Sequence, residues 1–358
     1  MAPHRFHPLG IADLHRETAD SVSVGFAVPE ALRDAFRFTP GQFLTLRTTI
    51  DGVELRRPYS ICSAPGAALL RVGIKRQPGG RFSTWANERL RVGDVLDVMT
   101  PDGRFGVVPA PGSDRVLLAC AAGSGITPIL SILTAVLASE RGRCVLLYGN
   151  RDRAGIMFRR ELEDLKDRYL DRLSVVHVLS REHEGAGARA GRLDPAMLRR
   201  LLPAVAPVGT LAHAFLCGPP GMLAALAPLL AAEGLAPSRL HLERFTPAED
   251  APLPPAAPGP AAAAIASAHA VVTFEGVRSA FPVAADETVI AAGLRAGLAL
   301  PYACRGGMCC TCRARLLEGE VAMAANYGLE PWETAAGYVL TCQSRPLTPR
   351  VVLDYDQV

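Results

Sequence analysis

Four thiols constrain this chain more than any other feature. Cys304, Cys309 and Cys312 crowd one short segment, and Cys342 follows at a distance. Read as C-x4-C-x2-C…C, the spacing asks one tight loop to present three thiolates while a fourth arrives from a remote stretch. That is the plant-type spacing for a [2Fe-2S] cluster. Gly306 and Gly307 permit the close backbone approach such a loop needs, with N–H groups available to sulfur. Cys310 is surplus and reads as a non-ligand thiol. Structural zinc competes for the same residues, but zinc favours two short Cys pairs or a pair of histidines. This region offers one C-x2-C and no nearby His pair.

The chain around these thiols is 358 residues long, which predicts two or three domains. Hydrophobic residues make up 49% and charged residues 20%, a balance that suits packed cores and excludes a disordered chain. The net charge of +3 is spread along the length, so no basic patch marks a nucleic-acid binder. Nine cysteines, an odd and unevenly placed set, do not read as a disulfide framework. Cys62, Cys120 and Cys144 read as small buried hydrophobes. The start MAPHRFHPLG has no apolar core for a secretory signal, so the expectation is a cytoplasmic protein. The most apolar stretch, 193–235, is broken by Pro203, Pro207, Gly218, Pro219, Pro220 and Gly221, which argues against a membrane span.

Organisation follows from punctuation. Residues 246–268 are Pro- and Ala-rich and predict a semi-rigid spacer before a C-terminal module. Short strands at 21–28, 43–48, 69–75 and 95–99 predict an antiparallel barrel over residues 1–110. Over 111–245, apolar runs at 116–119, 144–148, 175–179 and 214–217 alternate with helical stretches at 128–139, 158–169 and 220–233. That alternation predicts a parallel sheet with crossover helices. In 269–358, a hairpin at 271–283 and a helix at 289–296 precede the cysteine loop.

Within this frame, Arg57-Pro58-Tyr59-Ser60 ends a strand, and Gly79-Gly80-Arg81-Phe82-Ser83 opens a helix. An arginine pairs with phosphate, a tyrosine ring stacks on a flat heterocycle, and a glycine turn into a helix N-terminus cradles a diphosphate. Each run alone is equally an exposed strand end or an ordinary capped helix. Further on, Gly123-Ser124-Gly125-Ile126-Thr127-Pro128 joins strand to helix, a phosphate turn that is not G-x-G-x-x-G. Cys217-Gly218-Pro219-Pro220-Gly221-Met222 ends a later strand; a buried apolar Cys is the plain alternative there. Asn150-Arg151 and Ser180-Arg181 also sit at strand ends, where arginine favours the 2′-phosphate of NADPH over the diol of NADH.

Together and in this order, the runs R-x-Y-S, G-x-x-S and C-G-P-x-x-M resemble the ferredoxin–NADP reductase superfamily. The full order resembles the reductase components of bacterial multicomponent oxygenases, and is most similar to the family serving phenylacetyl-CoA epoxidases. That likeness rests also on Arg37-Phe38-Thr39-Pro40-Gly41-Gln42, Met157-Phe158-Arg159, His241-Leu242-Glu243-Arg244-Phe245 and the run from Ala335 to Cys342. The resemblance implies FAD, with Arg57 at its pyrophosphate, Tyr59 on the isoalloxazine and Ser60 near N5, supported by Pro58. Gly80, Arg81, Phe82 and Ser83 would hold the diphosphate, and Phe245 would lie near the flavin. It implies NADPH at Gly123, Ser124, Gly125, Thr127, Pro128, Asn150, Arg151, Ser180 and Arg181. Cys217, Gly218 and Pro219 would lie beside the nicotinamide, with Ser60 and Cys217 the catalytic pair. It further implies Cys304, Cys309, Cys312 and Cys342 as cluster ligands and a di-iron oxygenase as the partner that takes the electrons. Two other assignments fit these residues: a reductase of the same build serving another oxygenase or desaturase, and a non-catalytic iron–sulfur redox sensor.

Overall fold

A computed structural model describes residues 5–182, 188–245 and 267–357, in two compact units. Most of the segment expected as a spacer therefore lies outside the described residues. Its last two positions, Ser267 and Ala268, already belong to a strand, and Ala268 is buried.

The chain begins with six strands, β1 (Phe6–Thr18), β2 (Ser21–Ala27), β3 (Phe43–Ile50), β4 (Val53–Ser60), β5 (Leu70–Lys75) and β6 (Val95–Met99). They form one sheet in the order β4-β3-β6-β1-β2-β5, antiparallel wherever a register is defined. Ile61, just past β4 at one edge, bridges Val72 of β5 at the other, which closes the sheet into a barrel. Leu9, Val24, Phe26, Leu44, Leu46 and Val98 fill its interior. The sequence pattern misses β1, because Pro8, Gly10 and three charged residues mask its alternation. Pairing with β2 on one side and β6 on the other holds it straight despite two irregularities. After β5 the chain turns into α1 (Arg81–Glu88), which Asn87 anchors by donating to Ile74 O at 3.2 Å.

Next come β7 (Val116–Ala122), α2 (Ile126–Ser139), β8 (Arg143–Asn150), α3 (Arg159–Arg168), β9 (Leu173–Leu179) and β10 (Ala188–Ala190), then α4 (Pro195–Val205), β11 (Leu211–Gly218), α5 (Pro220–Ala232) and β12 (Leu240–Arg244). All six strands run parallel in the order β10-β9-β8-β7-β11-β12. Alternate residues of each strand feed two separate cores: Leu117, Ala119 and Leu146 meet α2 and α3, while Leu118, Cys120 and Val145 meet α4 and α5. The order reverses between β7 and β11, and in such sheets ligands bind at the carboxyl ends of the strands at that switch point. The broken apolar run at 193–235 resolves into α4, β11 and α5. Asp194 caps α4 by accepting the Met197 N–H at 2.8 Å. Cys62, Cys120 and Cys144 are buried as expected, and burial raises the thiol of Cys120 to about 12.

The second unit contains β13 (Ser267–Phe274), β14 (Val277–Ala284), α6 (Val289–Arg295), β15 (Arg313–Glu318), β16 (Val321–Met323), α7 (Pro331–Ala335), β17 (Tyr338–Leu340), β18 (Ser344–Pro346) and β19 (Arg350–Asp354). A mixed sheet in the order β14-β13-β19-β15-β17 clasps α6 in a β-grasp, and β16 pairs with β18. Val272, Phe281, Ile290, Leu300, Leu340 and Leu353 make its core.

One buried carboxylate organises this small unit. Glu333 has no exposed side-chain surface, pairs with Arg313 and accepts the Glu330 N–H at 3.0 Å. Removing one partner of a buried pair strands the other charge. Arg313 keeps a little solvent contact, so Glu333→Gln is expected to cost about 3 kcal/mol, the low end for such pairs. Urea unfolding of this unit, followed in wild type and variant, checks it; an unchanged midpoint would contradict the role.

Candidate active site

The cysteine loop runs between α6 and β15 and is braced from below. Thr341 donates to Cys312 O at 2.9 Å, Tyr355 hydrogen-bonds Thr341 at 2.9 Å, and Gln343 donates to Arg305 O at 2.7 Å. Gly307 has φ +75, and a Cβ there would come within 2.8 Å of the Ala325 carbonyl, so only glycine fits. Cys304 Sγ accepts N–H groups of Gly306 at 3.3 Å and Cys309 at 3.5 Å. The Cys309 thiol and these N–H groups pull the Cys304 thiol down to about 6. Cys309 and Cys312 are pushed up, since each hydrogen-bonds a neighbouring sulfur, Cys304 and Cys342 respectively.

The sulfurs thus meet in two pairs, 304 with 309 and 312 with 342. Two thiol pairs suit two irons, each taking two thiolates, and not the four-fold shell of one zinc. Cys310 belongs to neither pair and sits in the left-handed region at φ +58.

β4 carries Arg57, Pro58, Tyr59 and Ser60 at its carboxyl end. The Tyr59 ring packs 5.6 Å from Phe82 in the first turn of α1, and Ser60 is buried. The Ser83 hydroxyl accepts the Gln77 N–H at 3.1 Å and donates to Gly80 O at 3.3 Å, so it shapes the turn that presents the α1 N-terminus. Arg81 reaches away from that turn to Ile50 O at 2.9 Å.

At the switch point, Gly123–Gly125 links β7 to α2, with Thr127 donating to Ser124 O at 2.9 Å and Pro128 in the first helical turn. A Cβ on Gly125 would lie 2.2 Å from the Cys217 carbonyl. Glycine there is what lets the end of β11, Cys217-Gly218, pass flush against the turn; Pro219 follows as the cap of α5. On the other side of β7, Ser180 N–H donates to Asn150 O at 3.0 Å and Arg181 N–H to Arg151 O at 2.8 Å. The two exposed arginines therefore stand side by side at the ends of β8 and β9.

What joins these pieces is Glu243. The β11–β12 register sets it opposite Cys217. Its carboxyl receives Ser60 Oγ at 3.4 Å and, more weakly, Cys217 Sγ at 3.9 Å. The stem keeps some exposure, but the carboxyl is enclosed, and burial pushes it up to about 8. Burial and the facing carboxylate drive the Cys217 thiol well above its usual value. The sequence marks the run Glu243-Arg244-Phe245 as similar to the stretch near the flavin in related reductases and assigns the contact to Phe245, which packs on the adjoining core.

Comparison with known proteins agrees with this construction. Models for an oxidoreductase FAD-binding domain, an oxidoreductase NAD-binding domain and a 2Fe-2S iron-sulfur cluster binding domain match residues 10–106, 120–227 and 272–347. The chain belongs to the family of oxidoreductases that carry these three domains in one polypeptide, the reductase components of oxygenases. Within that family it is 42% identical to a subunit of the 1,2-phenylacetyl-CoA epoxidase of Escherichia coli (strain K12), over 98% of each chain. It is 34% identical to the ferredoxin reductase component of 3-ketosteroid-9-alpha-monooxygenase from Rhodococcus rhodochrous, over 97% of this chain and 96% of that one. The fold is also that of phthalate dioxygenase reductase, with a TM-score of 0.58, 21% identity and 98% of each chain covered. The redox-sensor assignment gives way to that of an enzyme.

Glu243 sets a pH dependence whose sign follows from its raised value. The folded carboxyl keeps its proton up to about 8, whereas the ordinary value is 4.5, so the folded state binds the extra proton across that window. Stability then falls as pH rises from the lower value to the higher. Thermal midpoints of flavin-free protein between those limits should show this slope in wild type and lose it in Glu243→Gln. Parallel profiles would contradict the buried carboxyl.

Proposed function

We propose that this chain carries electrons from NADPH, through FAD and a [2Fe-2S] cluster, to a di-iron oxygenase that epoxidises phenylacetyl-CoA. The observation that carries the reading is the joining of a hydride site and a one-electron site in one polypeptide. Ser60, Cys217 and Glu243 face one another at a sheet switch point, and four thiols meet in two pairs. The likeness over full length to a component of an epoxidase supports the choice of oxygenase. When bound, the flavin turns a hydride into single electrons and the cluster hands them on one at a time.

The chain's own residues bind and orient. Tyr59 offers its ring, Arg57 a cation for the pyrophosphate, and the first turn of α1, Gly80 to Ser83, its N–H groups for the diphosphate. Gly123 to Pro128 present a second helix N-terminus to the nicotinamide nucleotide. Arg151 and Arg181, beside Asn150 and Ser180, favour a 2′-phosphate and hence NADPH. Cys217, Gly218 and Pro219 border the nicotinamide, and Phe245 closes the flavin side. Ser60 and Glu243 hold a proton at the hydroxyl and carboxyl that face the reacting ring.

We assign the barrel to residues 1–110, the nucleotide domain to 111–245, the spacer to 246–268 and the cluster domain to 269–358. Nine cysteines, none of them in a disulfide among the described residues, suit a reducing cytoplasm. No helix of the described residues is long and apolar enough to cross a membrane.

Cys309→Ser tests the division of labour. With FAD still bound, NADPH-driven reduction of a two-electron dye should persist while electron delivery to the oxygenase falls to background. Loss of both activities would contradict separate hydride and one-electron sites.

A further inference from the structure

Electron transfer alone leaves one proton behind. NADPH gives a hydride, which is a proton with two electrons, and the cluster passes on electrons only. Each turnover is therefore NADPH + 2 oxidised acceptor → NADP⁺ + H⁺ + 2 reduced acceptor, and the proton must leave an enclosed site.

We propose that His241 and His213 carry that proton from the Glu243 carboxyl to the protein surface. The inference rests on the reading of Ser60, Cys217 and Glu243 as the wall of the flavin site. His241 lies two positions before Glu243 on β12, so the two side chains share one face of the sheet. Strand geometry puts their Cα atoms about 7 Å apart, and the relay requires water between the two side chains. The His241 ring stacks on Phe215 of β11, with centroids 4.6 Å apart and planes 13° from parallel. Phe215 in turn meets Phe105 edge-on at 5.6 Å, which walls the ring pair on the core side. His241 Nε2 is 3.0 Å from His213 Nδ1. His213 then lines an open depression of about 410 Å³ together with Asp114, Arg115, Thr210 and Arg239. Carboxyl, imidazole, imidazole and open depression thus follow one another along a single face.

The charges around the pair suit transit. Arg115, whose partner is Glu140, and Arg239 stand near His213, with Asp114 at the rim. Burial holds both rings below their usual value, and the His213 neighbour adds to the effect on His241. Both rings are neutral at physiological pH, so each accepts at one nitrogen and donates at the other without trapping a cation.

The competing role is structural, with the pair merely pinning edge strand β12 to β11. Proton release separates the two. Holoenzyme reduced anaerobically with NADPH is mixed, in weak buffer, with ferricyanide and a pH-indicator dye, and flavin reoxidation and proton appearance are recorded together. In wild type the proton should appear in step with reoxidation. In His241→Phe, which keeps the stack on Phe215, it should lag by about a hundred-fold, the low side of what a positioned proton-transfer group contributes. His213→Ala should lag likewise and be restored by added imidazole. Independently of turnover, the proton NMR spectrum should show a downfield imidazole N–H signal that both variants lose. Protons that keep pace in both folded variants, with the NMR signal gone, would overturn the relay and leave the pair structural. A wild type that takes no hydride from NADPH would overturn the flavin-site reading, and the relay with it.

Discussion

A carboxyl held between a hydroxyl and a thiol organises the larger unit. Glu243 comes from the edge strand of a parallel sheet, Cys217 from the strand beside it, and Ser60 from the end of a barrel strand. For these three to meet, β11 must run flush against the turn after β7, which the absence of a side chain at Gly125 permits. The barrel and the parallel sheet are thereby one chemical object. The end of β4 in one and the turn after β7 in the other lie against the same group of residues, Ser60, Cys217 and Glu243. Its raised protonation value is the electrostatic trace of that enclosure.

The smaller unit answers a different constraint. Four thiols must be held in two pairs by a loop with little regular structure of its own. Backbone N–H groups favour charge on Cys304, while Thr341, Tyr355 and Gln343 fix the level of the remote Cys342. The buried Glu333–Arg313 pair ties α7 to the start of β15, where the loop ends. Rigid presentation of sulfur, and not burial of a large core, is what this domain supplies.

Much of this is legible in the residues. Strands with strong alternation, such as β6, and helices with clear periodicity, such as α2, stand almost where the pattern sets them. The cysteine spacing points to the paired thiols because ligand geometry restricts spacing more tightly than any propensity does. β1 was hidden, since its stability comes from pairing on both flanks and not from its own composition. Glu243 and the His213–His241 contact were hidden for a related reason. Their meaning lies in the register between β11 and β12, a relation between distant stretches that no local pattern carries. Ser83 shows a role the motif does not spell out: its hydroxyl shapes the turn that presents the α1 N-terminus.

The central claim is that one chain converts a hydride into single electrons. Anaerobic titration of the purified protein with NADPH, followed by visible absorption, tests it most directly. The account predicts that flavin and iron–sulfur bands both bleach and that the chain takes up about three electrons, two on the flavin and one on the cluster. Bleaching of the flavin bands alone, with the iron–sulfur bands unchanged or missing, would contradict it.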